Sequence, residues 1–330
     1  MNSMAGVRRI LSLAALAAGA WLTLASLASA QAAQGAFERT LKVTGPVDLS
    51  IRSGSGDIRV IPGADGTVRV SARIRAYNTW FFFGDAAQRV REIEKNPPVE
   101  QDGNTIRLGH SLSNNFGNVG ISYDVTVPAR TTLNARTGSG TIDVGELLGP
   151  VQAHTGSGDI VLGRVGGPVV ASTGSGGIEA NGAQSLDART GSGSIKAAAI
   201  GGPIKASSGS GEIRVALAAR GDVDVSSSSG NVAVTGIQGA ARVSASSGAI
   251  TVEGRPTGPW NVHSSSGGVT LRLPADAAFD LDARASSGGI DSRHPVTMVG
   301  QADRHRVQGK VRGGGALVAV SSSSGGIRIE

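Results

Sequence analysis

The sequence predicts an all-β protein whose chain forms a single β-solenoid, with one short helix in an irregular N-terminal segment. Three observations lead to this prediction. A Ser-Gly pair recurs eleven times, the repeat is about 18 residues long, and apolar and polar residues alternate on both sides of each pair. The 50 glycines argue against an ordinary globular core, and their regular recurrence indicates stacked turns rather than disorder.

The glycine that closes each Ser-Gly pair is taken as the anchor of one rung. From Gly140 to Gly288 the anchors are 17 to 21 residues apart, and the last step of 37 residues fits two rungs with one degenerate corner. The eleven anchors are Gly56, Gly140, Gly158, Gly176, Gly193, Gly211, Gly230, Gly248, Gly267, Gly288 and Gly325.

Fixed positions around the anchor carry fixed residue types. Serine precedes every anchor, and Ile or Val lies two residues after it, as Ile142 and Val232 do. Apolar residues such as Ala153 and Val151 lie five and seven residues before it, with polar residues between them. This period of two predicts strands with one buried face. Like residues in every copy favour a solenoid over successive hairpins, because a solenoid stacks equivalent positions about 4.8 Å apart. The handedness is left open.

The residue types at the corner fit a sharp turn between stacked strands. Glycine tolerates a positive φ and a close approach of backbone, and the preceding serine is expected to point into the corner and satisfy unpaired backbone groups. A second inward ladder of hydroxyl groups is predicted three residues before the anchor, at Thr137, Thr155, Thr173, Thr190 and Ser208.

Residues 1–30 are predicted to be a signal peptide. Arg8 and Arg9 precede the apolar run of residues 10–27, and Ala28-Ser29-Ala30 matches a small-residue cleavage site. An uncleaved membrane anchor is the alternative reading of this run. Cleavage predicts an exported protein, periplasmic or extracellular and at the cell surface, with no membrane span.

The composition excludes several kinds of chemistry. Cysteine is absent, which excludes disulfides, thiolate metal sites and cysteine nucleophiles. The net charge is +6, and it falls to +4 (29 Lys+Arg against 25 Asp+Glu) when Arg8 and Arg9 leave with the signal. This mild excess is compatible with an anionic cell-envelope glycan or surface polymer as partner. No cofactor, metal or nucleic acid is predicted, and the oligomeric state is left open.

The mature chain divides into a cap and a repeat region. After a linker of residues 31–36, residues 37–130 are predicted to form an N-terminal β region with a helical insertion, and residues 131–330 the solenoid repeats. The helix is expected from Asp85 to Asn96, since Asp85 and Gln88 match a capping box and prolines follow it.

Two further features mark this N-terminal region. Asp102-Gly103 is a candidate tight turn between two short strands. The aromatic run Trp80–Phe83 is predicted to cover an open end of the solenoid, with a contact patch for a partner as the alternative.

These residues resemble a known family. The segment Val125-Thr126-Val127-Pro128-Ala129, followed by Leu133 and the corner Thr137–Ile142, is similar to the bacterial putative-adhesin family of β-strand-repeat proteins. Gly313-Gly314-Gly315 before a final Ser-Gly-Gly-Ile also resembles that family, and the resemblance covers residues 37–330. It implies a β-strand-repeat fold and adhesion, and it carries no catalytic residues over to this chain.

The residues give no catalytic or metal site. A catalytic serine occupies one special turn, whereas the same serine occurs here in eleven copies. His154 and His263 share an outward column but lie six rungs apart, about 29 Å at the stacking distance. His294 and His305 flank the degenerate rung and are expected to be solvated. Asp143 and Glu179, two rungs apart, are the loose candidates for the paired carboxylates of sugar hydrolysis.

The outward column four residues before the anchor is the candidate ligand-binding site. It holds basic residues and serines and no acid, although Asp187 and Asp282 lie two residues before two of its arginines. Its basic members are Arg52, Arg136, His154, Arg189, His263 and Arg284.

The function expected from this column is a non-enzymatic one. The chain is predicted to be an exported adhesin or envelope scaffold that presents a repetitive sheet surface. The alternative is a polysaccharide-binding or polysaccharide-degrading β-helix enzyme. Binding of ice or mineral by the hydroxyl ladder is disfavoured, because that ladder is predicted to face inward.

Overall fold

The computed structural model describes residues 32–77, 86–110, 119–298 and 303–330. Within these ranges the chain forms 29 strands in two long sheets and one helix, α1 (Ala86–Lys95). The described part of the chain contains no helix that is long and apolar enough to cross a membrane. The predicted all-β solenoid with one short N-terminal helix is confirmed.

The first sheet has fourteen strands. They are β1 (Ala33–Lys42), β3 (Ile58–Gly63), β4 (Thr67–Ala76), β7 (Val119–Pro128), β9 (Ile142–Val144), β11 (Ile160–Leu162), β13 (Ile178–Ala183), β15 (Ile195–Ile200), β17 (Ile213–Leu217), β19 (Val232–Ile237), β21 (Ile250–Gly254), β23 (Val269–Arg272), β25 (Ile290–Ser292) and β29 (Ile327–Ile329).

The second sheet has fifteen strands. They are β2 (Val47–Ser53), β5 (Val99–Asp102), β6 (Thr105–Leu108), β8 (Thr131–Thr137), β10 (Val151–Thr155), β12 (Pro168–Thr173), β14 (Ser185–Thr190), β16 (Ile204–Ser208), β18 (Val223–Ser227), β20 (Ala241–Ala245), β22 (Trp260–Ser264), β24 (Phe279–Ala285), β26 (Val296–Met298), β27 (Arg306–Val311) and β28 (Ala316–Ser322).

Each Ser-Gly corner joins one strand of the second sheet to one strand of the first, and we call this unit a coil. Eleven coils stack in parallel with equivalent positions in register, so that Val151, for example, lies beside Val169. The apolar columns on both sides of the corner are buried between the two sheets. Burying a Val or Ile side chain stabilises a fold by about 1.5–3 kcal/mol, so each coil adds to one continuous core.

The anchor glycines are required by close packing. A Cβ on Gly158 would overlap the carbonyl oxygen of Gly140 in the preceding coil, and the same overlap recurs along the anchor column. None of the anchors has a positive φ, so the expectation that these glycines are needed for a positive φ is wrong. The serine before each anchor is exposed in every copy, which also corrects the expected inward direction of that side chain.

The hydroxyl ladder three residues before the anchor does face inward. Thr155 is fully buried, donates its hydroxyl hydrogen to the carbonyl of Gly140 in the preceding coil (2.9 Å) and accepts from the Gly158 amide (3.1 Å). The same pair of bonds recurs at Thr137, Thr173, Thr190, Ser208, Ser227, Ser264 and Ser322. These hydroxyls satisfy the backbone groups that the corner leaves unpaired.

The N-terminal end of the stack is covered by antiparallel strands and by the helix. Strands β1, β4 and β7 extend the first sheet beyond β3, and α1 packs its buried Val90 and Ile93 against β1 and β4. The predicted hairpin is present, but its turn is Gly103-Asn104, one residue later than expected, because Asp102 still pairs with Thr105. Strand β6 pairs with β2 in the second sheet. Asp85 and the aromatic run Trp80–Phe83 lie outside the described residues.

The C-terminal end differs from the prediction of two rungs with one degenerate corner. Strands β26 and β27 instead pair antiparallel with each other, and β27 also pairs antiparallel with β24 at the end of the second sheet. The last coil, β28–β29, lies between the coil β22–β23 and the coil β24–β25. The spacing of anchors gives the number of coils, whereas it does not give their order in space.

Candidate functional site

Three outward rows run along the exposed face of the second sheet. Side chains alternate between core and solvent, so the residues four, six and eight positions before each anchor face outward. We call them the basic row, the middle row and the outer row. Because the strands are parallel and in register, each row crosses the whole stack of coils.

The structure places all six candidate residues in the basic row, but it brings only Arg52, Arg136 and His154 onto adjacent strands. All six side chains are exposed, and half-buried serines separate them in the middle of the stack. From the N-terminal end the order is Arg52, Arg136, His154, Ser172, Arg189, Ser207, Ser226, Ser244, His263, Ser321 and Arg284.

Two of the four arginines in this row are neutralised within their own strands. Arg189 donates to Asp187 at 2.7 Å, and Arg284 donates to Asp282 at 2.7 Å. The hydrogen bond that Arg284 donates to Asp282 raises the pKa of the Arg284 guanidinium. The positive charge of the row is therefore concentrated at its N-terminal end.

The two histidines of the row are separate. The Nδ1 atom of His154 lies 2.5 Å from the Ser172 hydroxyl, and that of His263 lies 2.9 Å from the Ser321 hydroxyl. Among the described residues, no three His, Asp or Glu side chains are grouped as a metal site would require. His294, expected to be solvated, is buried instead, because its ring packs edge-on against that of Phe279 at 5.8 Å.

At the N-terminal end the basic row widens into what we call the basic patch, formed by Arg52, Arg107, Arg136, His110 and His154. Arg52 lies directly beside Arg136, and neither forms an ion pair with any described residue. Like charges placed opposite each other on neighbouring strands are destabilising. Glu100 lies opposite Arg107 on the neighbouring strand β5, so the uncompensated positive charge of the patch is that of Arg52 and Arg136.

Arg107 lies on β6 and His110 lies two residues after the end of that strand, and the repeat pattern of the sequence does not identify either residue. Arg107 lies beside Ser50 on β2, and His110 Nε2 lies 2.9 Å from the Ser50 hydroxyl. Burial, and then the positive charge of Arg52, lower the pKa of His110. Only the pairing of β6 with β2 brings these residues to the row, and no short-range pattern predicts that pairing.

The middle row beside the basic patch carries neutral hydrogen-bonding groups. Ser50, Asn134 and Gln152 occupy three successive strands there. Asn134 accepts from the Arg136 Nε atom at 3.3 Å. Arginines flanked by amides and hydroxyls can bind anionic groups and the hydroxyls beside them.

Several carboxylates on the side of the first sheet are engaged in structural contacts. Asp143 pairs with Arg59 at 3.4 Å, and Val161 separates it from Glu179 in the same outward row. Asp57 and Asp159 each accept a backbone N–H of the next coil, at 2.9 and 2.7 Å. Asp57 and Asp159 thus hold successive coils together.

Fold and site together define a two-sheet parallel β-solenoid with an extended, partly basic outer face. The chain belongs to the Toastrack DUF4097 family, whose profile matches residues 42–330. This confirms the resemblance to the putative-adhesin family of β-strand-repeat proteins. The family's function is unknown.

The chain is also similar to solved structures of low identity. A "putative cell adhesion protein" from Clostridium sporogenes is 10% identical, with 89% of this chain and 99% of that chain covered and a TM-score of 0.20. A "putative adhesin" from Bacteroides fragilis is 10% identical, with 90% and 97% covered and a TM-score of 0.30. A "putative lipid binding protein" from Parabacteroides distasonis is 13% identical, with 89% and 97% covered and a TM-score of 0.34. No curated protein matches the chain.

Proposed function

We propose that this protein is an exported, non-enzymatic adhesin or envelope scaffold that binds an anionic glycan or another anionic surface polymer through the basic patch. The observation that carries the proposal is the pair Arg52 and Arg136. These exposed arginines lie side by side without an ion-pair partner among the described residues. A bound anion between them removes their mutual repulsion and gains charge-assisted hydrogen bonds.

The arrangement of the rows suits a linear polymer. A chain lying along the stack meets one outward residue of each row about every 4.8 Å. It passes from Arg52 and Arg136 to His154 and then to the serines of the basic row, so contacts repeat without a closed pocket. Repeated weak contacts of this kind are how solenoid surfaces bind extended partners.

Export is the second part of the proposal. The basic and apolar pattern of residues 1–30 and the small residues before Gln31 support it. Fractionation of cells that express the full chain, followed by N-terminal sequencing, tests this part. We expect protein that begins at Gln31 outside the cytoplasm. Full-length protein retained in the cytoplasm would contradict export.

Binding is tested with the mature chain on immobilised alginate and polygalacturonate, with dextran as the neutral polymer. We expect retention on the acidic polymers that weakens as salt is added, because exposed charges are screened. The double variant Arg52→Ser and Arg136→Ser is expected to weaken retention about tenfold. Serine occupies this position in several coils, so the substitution suits the fold.

The matched control removes two charges from the opposite face. Arg214→Ser with Arg328→Ser changes the net charge equally, and both residues are exposed on the first sheet. Retention of this control like the unmodified chain supports the basic patch, and equal loss in both variants would refute it. Release of shorter oligosaccharides from either acidic polymer would show turnover and refute the non-enzymatic part, in favour of a polysaccharide-degrading enzyme.

A further inference from the structure

A shallow groove of about 650 Å³ lies on the outer face of the second sheet, across the six strands from β12 to β22. Its rim includes three prolines of the outer row, Pro168, Pro203 and Pro259, and its end includes Val170, whose side chain is 43% exposed. The groove is separate from the basic patch, whose nearest member, His154, lies on the adjacent strand β10.

The middle row crosses this groove with alternating charges. Asp187, Lys205, Asp224 and Arg242 occupy four successive strands in register. Asp187 is bonded to Arg189, whereas Lys205, Asp224 and Arg242 form no ion pair with any described residue. Three of the four charges therefore remain available to a partner.

The order of these charges is self-complementary. Consider a twofold axis that runs parallel to the strands, between β16 and β18, in the plane of contact with a second copy. It reverses the row and lays it over itself, so that Lys205 faces Asp224 of the second copy and Asp187 faces its Arg242. All four contacts across the axis then join opposite charges. A twofold interface requires this kind of self-complementarity.

The two flanking rows are compatible with the same rotation. In the outer row Pro168 faces Pro259 of the second copy, and in the basic row Ser207 faces Ser226 and Arg189 faces Ser244. Within the six groove strands, no like charges are brought together. Beyond them the rotation sets Arg136 against Arg284, whose charge Asp282 neutralises, and Arg52 against Arg306. Both pairs lie outside the six groove strands.

We propose that this groove is a self-association surface, at which two copies of the chain pack face to face in a twofold dimer. Since sheets twist, two such faces stay in contact only near the axis. The six strands are about 4.8 Å apart, so the contact is about 24 Å long across them. The three rows span five residues along each strand, so the contact is about 13 Å wide. A contact of this size predicts a weak and reversible dimer. The inference does not rest on polymer binding.

Sedimentation velocity of the mature chain, from about 1 to 500 μM, tests the proposal, because weak interfaces associate in this range. We expect a monomer–dimer equilibrium. The Lys205→Asp substitution makes a carboxylate face Asp224 of the other copy, and this repulsive contact occurs twice in the dimer, once on each side of the axis. It is expected to weaken association about tenfold. Asp224→Lys should weaken association as well, because it makes two ammonium groups face each other across the axis.

The double variant Lys205→Asp with Asp224→Lys decides between contact across copies and charge pairing within one chain. The exchange places like charges on neighbouring strands of one chain, yet it keeps opposite charges facing across the axis. Association restored to within about threefold of the unmodified chain supports the dimer. Association no better than that of the single variants, or a monomeric unmodified chain at every concentration, would overturn it. Lys196→Asp, on the outer face of the first sheet, is the matched control and should leave association unchanged.

Discussion

Thr155→Val is the sharpest test of the hydroxyl ladder, because valine keeps the shape of threonine and removes only the hydroxyl. The threonine bonds two backbone groups of successive coils, the carbonyl of Gly140 at 2.9 Å and the amide of Gly158 at 3.1 Å. Valine leaves both groups without a partner in a buried corner. No water can reach Thr155, whose exposed fraction is 0%.

The expected loss follows from these two bonds. An unsatisfied buried backbone group costs about 1–3 kcal/mol, and the greater hydrophobicity of valine offsets part of this cost. We expect Thr155→Val to lower the free energy of unfolding by about 2–3 kcal/mol. Thr155→Ser keeps both hydrogen bonds and loses one methyl group, so about 1 kcal/mol is expected.

The assay is urea unfolding of the mature chain followed by far-UV circular dichroism, with midpoints compared at constant slope. Thr155→Ser is the control, since serine occupies the equivalent position in several other coils. A valine variant as stable as the serine variant would refute the reasoning. The ladder would then be a consequence of packing and not a source of stability.

Three further predictions concern other positions of the stack. Gly176→Ala should lower the free energy of unfolding by at least about 3 kcal/mol or prevent folding, because the added Cβ overlaps the Gly158 carbonyl. Gly289→Ala is the control and should change the urea midpoint little, because no atom lies within 4 Å of the added carbon. Ala245→Ser, which restores the missing hydroxyl in one coil, should stabilise the protein by about 1 kcal/mol in the same assay. Burial raises the pKa of Tyr123, so the unfolded state loses its proton first and stability falls as pH rises above about 10. Tyr123→Phe should abolish this fall in alkaline unfolding curves, and a fall of the same size in the variant would refute the assignment.

The repeat in the sequence was sufficient to predict the coils, because stacking forces equivalent positions to carry like residues. The inward position of Thr155 and the outward position of Arg136 both follow from the period of two along a strand. The basic row could therefore be predicted as a row. Its charge balance could not, since the bond between Arg189 and Asp187 depends on side-chain conformation.

Features that depend on distant pairing could not be predicted from the repeat. The corner serines were expected to face inward because they are small and occur in every copy, yet the threonine two residues earlier fills that role. His110 reaches the basic patch only because β6 pairs with β2 across more than fifty residues of chain. Such pairings are set by the whole sheet and leave no local pattern.

The position of the last coil has a consequence for the order in which the protein folds. Strands β28 and β29 follow the coil β24–β25 in the chain but separate it from β22–β23 in space. During synthesis the two neighbours of this coil are therefore made before it, and a stack that grows coil by coil from the N-terminus must pause after β23. Leu281 and Val318 reach their neighbouring positions only when the later segment closes the gap between the earlier ones. Once it is closed, the C-terminal segment β28–β29 cannot detach without breaking its pairing on both sides, whereas the last segment of an ordinary solenoid is paired on one side only.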